Sequence, residues 1–344
     1  MAVADQTRTN GASADPDMIP VDNPVTGDII GHIEKTSAEK VRDTVNYSRE
    51  AQRSWAALSV RERARLIRVW GDLMWENQME SVRIIREESG KNDTGAFIEV
   101  MFVDNTINYY VKIAEDTLKP QTRMPGFPLI QSAKVYYKPY GVVGMISPWN
   151  YPMALALTDA IPALIAGNTV VFKPSEITPY SAIFAIDMMH KAGIPDGVVQ
   201  VVTGAGETGA ALVDLVDYVH FTGSTAVGKK IAVKAAERLI PYSLELGGKD
   251  AMIVLKDANL ELAASGVFLA SLENTGQMCI SAERIYVEDA IFDRFIERVK
   301  YYADNLNIGA GDGFDVHVAS LTGERELERV ERHVQDAIDK GATL

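Results

Sequence analysis

A lone cysteine, Cys279, closes the run Asn274-Thr275-Gly276-Gln277-Met278-Cys279. Upstream stand Glu245-Leu246-Gly247-Gly248-Lys249 and Pro148-Trp149-Asn150. Oxidation of an aldehyde through a thioester needs three groups: a thiolate to attack the carbonyl, an amide N–H to hold the oxyanion and a carboxylate to activate water. Each residue also has an ordinary reading. A free cysteine is commonly a small buried hydrophobe, whereas a nucleophilic one needs a lowered pKa and a path of approach. The Gly-bearing loop after a helix end would give Cys279 both. Glu245 reads either as a half-buried carboxylate paired with a lysine or as a general base at a strand's carboxyl end. In the second reading Gly247 and Gly248 keep the neighbouring backbone slim. Asn150, just past a strand, is either a turn residue or the amide donor.

Three further motifs suit a nucleotide. Gly223-Ser224-Thr225-Ala226-Val227-Gly228 joins a strand to a helix, with Ser224 as cap and backbone donors able to bind a pyrophosphate. It lacks the three-glycine dinucleotide fingerprint, and Gly204-Ala205-Gly206 is no more specific. Lys173-Pro174-Ser175-Glu176 is either a solvated loop with an ion pair or a grip on ribose hydroxyls. In the second reading the Glu176 carboxylate repels a 2′-phosphate and favours NAD over NADP.

The elements that must position these groups are legible as patterns. β-Branched runs at 142–147, 169–173, 198–203, 218–222 and 242–246 alternate with helical stretches near 152–165, 179–192, 207–214 and 225–239. Such alternation means a parallel sheet with helices on both faces and ligands at the carboxyl ends of its strands, where the motifs fall. The first third reads as helical. It shows capping boxes at Thr36/Glu39 and Ser59/Glu62, a face of Leu66, Trp70, Leu73 and Asn77, a stop at Gly90, and a helix over 94–117. Thr178-Pro179 reads as a cap with an N1 proline, and Gly193 as the close of that helix. Residues 132–137 read as an extended strand. A second unit follows Lys249, with strands at 251–255 and 283–287 and a helix capped by Asp257 that ends near 272. Helices at 291–305 and 324–340 follow, and 341–344 reads as the start of a strand.

The totals exclude several classes. The chain has 344 residues, 47% hydrophobic and 24% charged, enough for at least two domains of a soluble globular protein. A net charge of -13 argues against nucleic acid and anionic membrane. One cysteine excludes an internal disulfide and a cysteine metal cluster, and five scattered histidines leave no expected metal site. Residues 1–16 lack the apolar centre of a secretory signal, and no apolar run reaches membrane-spanning length, so a cytoplasmic location is expected.

Taken together, Pro-Trp-Asn at 148–150, Lys-Pro-Ser-Glu at 173–176, Phe-Thr-Gly-Ser-Thr at 221–225, Glu-Leu-Gly-Gly-Lys at 245–249 and Gly-Gln-Met-Cys at 276–279 resemble the aldehyde dehydrogenase superfamily in order and approximate spacing. The resemblance covers the chain from about residue 20 onward. It implies an α/β fold: a Rossmann-like parallel-sheet nucleotide domain plus a second, incomplete α/β catalytic domain. The expected divisions are a flexible arm over 1–20, an NAD-binding domain over 21–120 and 140–247, an oligomerisation segment over 121–139, and the first part of the catalytic domain over 248–344. The resemblance implies Cys279 as nucleophile, Glu245 as base and Asn150 with the Cys279 N–H as oxyanion donors. It implies cofactor contacts at Ser147, Trp149, Asn150, Lys173, Ser175, Glu176, Gly206, Gly223, Ser224, Val227 and Leu246, with NAD preferred over NADP. It further implies a small aldehyde as partner and a homodimer or homotetramer. Tyr151, Met153, Leu272 and Met278 would form an apolar throat. The most similar branch is that of succinate-semialdehyde dehydrogenases. There, arginines pair with the substrate's distal carboxylate, and the matching positions here are Thr158 and Glu273. Family members continue well past residue 344, so the chain reads as lacking a C-terminal part and as poorly soluble or weakly active by itself. A non-catalytic nucleotide-binding remnant and a coenzyme A-acylating relative are the alternatives, and Glu245 counts against the second.

Overall fold

The computed structural model describes residues 15–127, 129–310 and 313–344. The flexible arm expected over 1–20 lies outside the described residues as far as residue 14. Its last residues are ordered, because β1 (Met18–Asp22) pairs antiparallel with β2 (Ile29–Glu34). Val21 and Ile33 of this hairpin are buried.

Four helices follow: α1 (Ala38–Ala57), α2 (Val60–Glu76), α3 (Gln78–Ser89) and α4 (Asp93–Leu118). The cap of α1 is Ser37, whose Oγ accepts from the Lys40 N–H at 3.2 Å, not the expected Thr36/Glu39 box. Thr36 instead ties the hairpin to the sheet. Its N–H donates to the Thr203 carbonyl at 2.8 Å, and its hydroxyl accepts from the Thr203 N–H at 3.0 Å. The Ser59/Glu62 box forms as expected at the start of α2. The core-facing stripe of α2 is Ala64, Ile67, Trp70 and Met74, rotated from the expected face, so Leu66 and Leu73 are only half-buried. Asn77 ends that helix rather than extending its face, and Gly90 closes α3 with φ 74°, which a residue without Cβ adopts without strain.

After a small antiparallel pair, β3 (Gln121–Arg123) and β4 (Ala133–Val135), comes the main sheet. Its elements in chain order are β5 (Val142–Ile146), α5 (Ala154–Leu157), α6 (Ala160–Ile165), β6 (Thr169–Lys173), α7 (Tyr180–Lys191), β7 (Val199–Val201), α8 (Gly206–Val213), β8 (Tyr218–Thr222), α9 (Thr225–Glu237) and β9 (Tyr242–Glu245). The strands are all parallel, in the order β7-β6-β5-β8-β9. Every residue of β5 and β6 is buried, as a parallel sheet covered on both faces requires. One core packs α2, α4 and α7 onto the sheet, and a second, with Val41, Leu212, Val216 and Ile231, covers its other face. The register sets Ile146 opposite Lys173 and Phe221, and Thr222 opposite Glu245, so the carboxyl ends of the strands form one edge. Strand order reverses at β5, which makes the β5/β8 crevice the expected ligand site.

The last part holds β10 (Asp250–Val254), α10 (Leu260–Leu272), β11 (Ala282–Val287), α11 (Phe292–Asp304) and α12 (Glu324–Asp339). β10 and β11 pair in parallel over a separate cluster of Val254, Ala264, Val267, Ile291 and Phe295. Asn259, not Asp257, caps α10, accepting from the Leu262 N–H at 3.1 Å. Residues 341–344 form a turn and irregular chain rather than a strand. Among the described residues, no helix is long and apolar enough to cross a membrane, and no group of three or more His, Cys, Asp and Glu could hold a metal ion.

Candidate active site

The loop that carries Cys279 is held in an unusual shape. After α10, Asn274 and Thr275 adopt left-handed φ values of 51° and 57°, followed by Gly276 at 77°. Two consecutive non-glycine residues there are strained and persist only where the surroundings fix them. The fixing bonds are identifiable. Gln277 Nε2 donates to the Asn274 carbonyl at 3.0 Å, and Ser281 Oγ to the Gly276 carbonyl at 3.2 Å. Thr275 Oγ1 donates to the Ala319 carbonyl at 3.1 Å, and the Thr322 N–H to Gln277 Oε1 at 3.0 Å. Cys279 itself is exposed at the end of this loop.

Asn150 and the loop that follows Glu245 both reach the cysteine loop from the sheet. Asn150 Nδ2 donates to the Gln277 carbonyl at 2.7 Å, and Asn274 Nδ2 donates back to the Asn150 carbonyl at 2.9 Å. This reciprocal pair locks the segment after β5 to the cysteine loop. Each amide carries a second N–H, so the Gln277 bond does not exhaust Asn150 as a donor. Glu245 is the exposed last residue of β9. Three residues on, a Cβ at Gly248 would lie 3.2 Å from the Cys279 carbonyl oxygen, so the slim backbone expected there lets the two chains meet. Lys249 pairs with Glu283, and the Arg284 guanidinium donates to the Lys249 carbonyl. The loop after Glu245 is therefore docked on the segment after Cys279.

The other expected ligand residues line the carboxyl edge of the sheet. Lys173 is buried, not part of a solvated loop. Its ammonium donates to the Pro174 carbonyl at 2.7 Å and the Gly204 carbonyl at 2.6 Å, and lies 3.5 Å from the Glu176 carboxylate. Burial lowers its pKa, against the pull of Glu176. Ser175 is buried, with its hydroxyl accepting from the Ile177 N–H at 3.3 Å, and Glu176 is partly exposed. The Trp149 carbonyl accepts from Thr178 Oγ1 at 3.2 Å. Gly206 opens α8, and Ser224 caps α9 by accepting from the Val227 N–H at 3.4 Å. A Cβ at Gly223 would lie 2.6 Å from the Phe221 ring, and one at Gly228 would lie 2.7 Å from Leu246 Cδ2.

These residues fit a dinucleotide. The Ser147 hydroxyl, at the carboxyl end of β5, is buried with no hydrogen-bond partner in the protein. A Cβ built at Gly206 meets nothing within 4 Å, which leaves open space before the N-terminus of α8.

One expected throat residue, Met153, needs correction, and so does Thr158, a position matching one of the family's arginines. Met153 is fully buried in the core and lines no opening. Thr158 is buried, with its hydroxyl donating to the Ala154 carbonyl at 2.9 Å. Tyr151 does face the loop, and its hydroxyl donates to Glu273 Oε1 at 3.2 Å.

A set of buried charges behind the site went unseen in the sequence. Glu99 and Lys91 form an ion pair with side chains 0% and 1% exposed. Glu88 is also fully buried and accepts from the Tyr180 and Ser181 N–H groups at 2.6 and 3.0 Å. That carboxylate, not Thr178, caps α7. The available signal was in α4, where Glu99 interrupts the apolar stripe of Ala96, Val100, Val103 and Ile107. Desolvation pushes the Glu88 pKa up to about 8, although the Ser181 and Tyr180 bonds oppose it. The folded form then holds a proton that an unfolded glutamate releases near pH 4.5. Stability from this group is present below that pH and is lost as pH rises toward 8. Glu88→Gln is expected to flatten the fall in Tm between pH 5 and pH 8 relative to the parent. Parallel Tm profiles for the two proteins would remove Glu88 as the cause.

Comparison with known proteins agrees with this fold. Residues 11–344 match the model of the aldehyde dehydrogenase family. A Mycobacterium ulcerans protein named "Putative succinate-semialdehyde dehydrogenase [NADP(+)] 2" is 42% identical over 325 residues, covering 94% of this chain and 63% of that protein. A glutarate-semialdehyde dehydrogenase of Pseudomonas aeruginosa is 38% identical, covering 98% of this chain and 71% of the relative. A crystal structure described as an E. coli NADP dependent enzyme superposes with a TM-score of 0.92 at 36% identity, over 95% of this chain and 68% of the other. The chain spans 63% of the length of the first curated relatives it matches. On fold, motif order and extent of match, the chain belongs to the aldehyde dehydrogenase family.

Proposed function

We propose that this protein oxidises an aldehyde to a carboxylic acid with a nicotinamide dinucleotide as oxidant, with Cys279 as nucleophile, Asn150 as oxyanion donor and Glu245 as base. The observation that carries the reading is the meeting of three loops. Asn150 is hydrogen-bonded to the backbone two residues before Cys279, and the loop after Glu245 packs on the Cys279 carbonyl. The Cys279 sulfur adds to the aldehyde carbon to give a thiohemiacetal, whose oxygen is held by the second Asn150 N–H and the Cys279 backbone N–H. The nicotinamide, when bound, supplies the acceptor for the hydride that leaves this carbon. What remains on Cys279 is a thioester. Glu245 takes a proton from water, the hydroxide adds to the thioester carbonyl, and the carboxylic acid departs as the C–S bond breaks. Glu245 stands against coenzyme A as the acyl acceptor, since an activated water would compete with it. Asn150→Ala is expected to lower kcat about 10²-fold. Steady-state NADH formation with a panel of aldehydes measures this, and an unchanged kcat would remove Asn150 from the oxyanion site.

Two features bear on the ligands. Glu176 lies three residues past the end of β6 with its carboxylate near Lys173, which supports NAD over NADP despite the names of the relatives above. Glu176→Ala is expected to raise kcat/KM for NADP relative to NAD about tenfold, and an unchanged ratio would discount the carboxylate. Glu273, bonded to Tyr151, sets a carboxyl group in the segment that leads to Cys279, and a pocket lined by it would oppose rather than pair the distal charge of a dicarboxylic semialdehyde. An uncharged aldehyde is the substrate class this supports. Glu273→Arg is expected to shift kcat/KM toward succinate semialdehyde at least tenfold, and a parent enzyme that already prefers that anion would contradict the assignment.

A further inference from the structure

The buried charges and the cysteine loop share one anchor. The turn between α3 and α4, residues 89–92, lies between the Gly90 cap of one helix and the Asn92 cap of the next, whose Oδ1 accepts from the Gly95 N–H at 2.7 Å. From this turn one arm reaches Asn150. Lys91 pairs with Glu99 Oε1, while Glu99 Oε2 accepts from the Met153 and Ala154 N–H groups at 3.1 and 3.0 Å. The Lys91 ammonium also lies 3.6 Å from the centre of the Tyr151 ring. The second arm reaches the cysteine loop. Asn92 Nδ2 donates to the Val316 and His317 carbonyls at 2.8 and 3.1 Å, and Thr322 Oγ1 to the Ser89 carbonyl at 3.1 Å. The same Thr322 presents its N–H to Gln277 Oε1 at 3.0 Å. Gln277 is the residue whose carbonyl accepts the Asn150 amide.

We infer that the 89–92 turn, with Lys91, Glu99 and Thr322 as positioning residues, fixes the Asn150 amide relative to Cys279 by gripping both of their segments. The inference rests on the reading of Asn150 as oxyanion donor, and deepens it. None of the three residues touches the site where the aldehyde reacts. The pair is also poorly explained by stability, because replacing a buried ion pair by apolar groups of similar volume is often neutral or favourable. What an apolar pair cannot supply is a carboxylate oxygen that fixes two backbone N–H groups just after Asn150. Displacing a catalytic donor by about 1 Å costs as much as 10²-fold in rate, so loss of this grip should appear in kcat.

The test combines hydrogen exchange with a mutant cycle. In Glu99→Gln and Lys91→Met, amides of residues 150–156 are expected to exchange faster while β5 and β6 keep their protection. Thr322→Val, an isosteric change on the other arm, is expected to do the same for residues 274–279 and serves if the ion-pair variants do not fold. In turnover, Glu99→Gln should lower kcat about tenfold or more with nucleotide KM unchanged, and should add nothing in an Asn150→Ala background. Exchange that is unchanged at these segments, or that rises equally throughout, overturns the inference. So does a loss from Glu99→Gln that is undiminished when Asn150 is already gone. If Asn150→Ala alone leaves the rate intact, the oxyanion reading fails, and the exchange data still decide whether the turn holds both segments.

Discussion

Cys279→Ala is expected to abolish aldehyde-dependent NADH formation, by at least about 10³-fold, while leaving nucleotide binding intact. The argument is chemical and local. The sulfur is the strongest nucleophile that the described residues bring to the meeting of the three loops, and alanine offers no substitute. The proposed nucleotide edge is carried by other residues, since Ser147, Lys173, Gly206 and Ser224 lie at or beyond the carboxyl ends of β5, β6, β7 and β8. Alanine at an exposed position should not disturb the core, so the Tm should stay within about a degree of the parent. Titration of the variant with NAD and an NADH assay with aldehyde separate the two effects. Residual turnover in the variant above a hundredth of the parent would show that another group is the nucleophile.

Glu245→Gln should separate the two halves of the reaction. Hydride loss from the thiohemiacetal does not need the base, so the first turnover is expected to survive as a burst of NADH near one equivalent per site. Water attack does need it, and steady turnover should fall about 10²- to 10⁴-fold. Glutamine keeps the shape at the end of β9 and removes the basic oxygen, so folding is not at issue. Rapid mixing reads both phases in one trace. Loss of the burst together with the steady rate would place Glu245 in the first half-reaction instead.

The candidate site was more legible in the sequence than its support. The sheet could be read because each strand is a short β-branched run closed by a motif, and the alternation with helices means parallel strands, though their order comes only from the structure. Tyr218–Thr222 and Thr169–Lys173 fall where the runs predict. Capping was less legible. Thr36 and Ser37 are equally good cap residues in sequence, and tertiary bonding to Thr203 takes the first away. The cap of α7 is supplied by Glu88, 92 residues earlier in the chain, which no local rule can find. Asp257 lost to Asn259 for a similar reason, since both are good caps two residues apart. Cys279, Glu245 and Asn150 were legible as types at strand and loop ends. What joins them was not. The Asn150–Gln277 bond and the close approach at Gly248 depend on left-handed residues at 274 and 275 that have no sequence signature. Lys91 and Glu99 carry no motif of their own in the sequence, and only the apolar stripe of α4 shows that Glu99 must face inward.

The most direct test of convergence on one carbonyl is the intact mass of Glu245→Gln after reaction with NAD and a neutral aldehyde. With a single cysteine in the chain, one adduct is expected. Its mass should be that of the aldehyde less two hydrogens, it should form only when NAD is present, and it should map to the peptide containing Cys279. NADH formation without that adduct, or the same mass on a peptide lacking Cys279, would contradict the account.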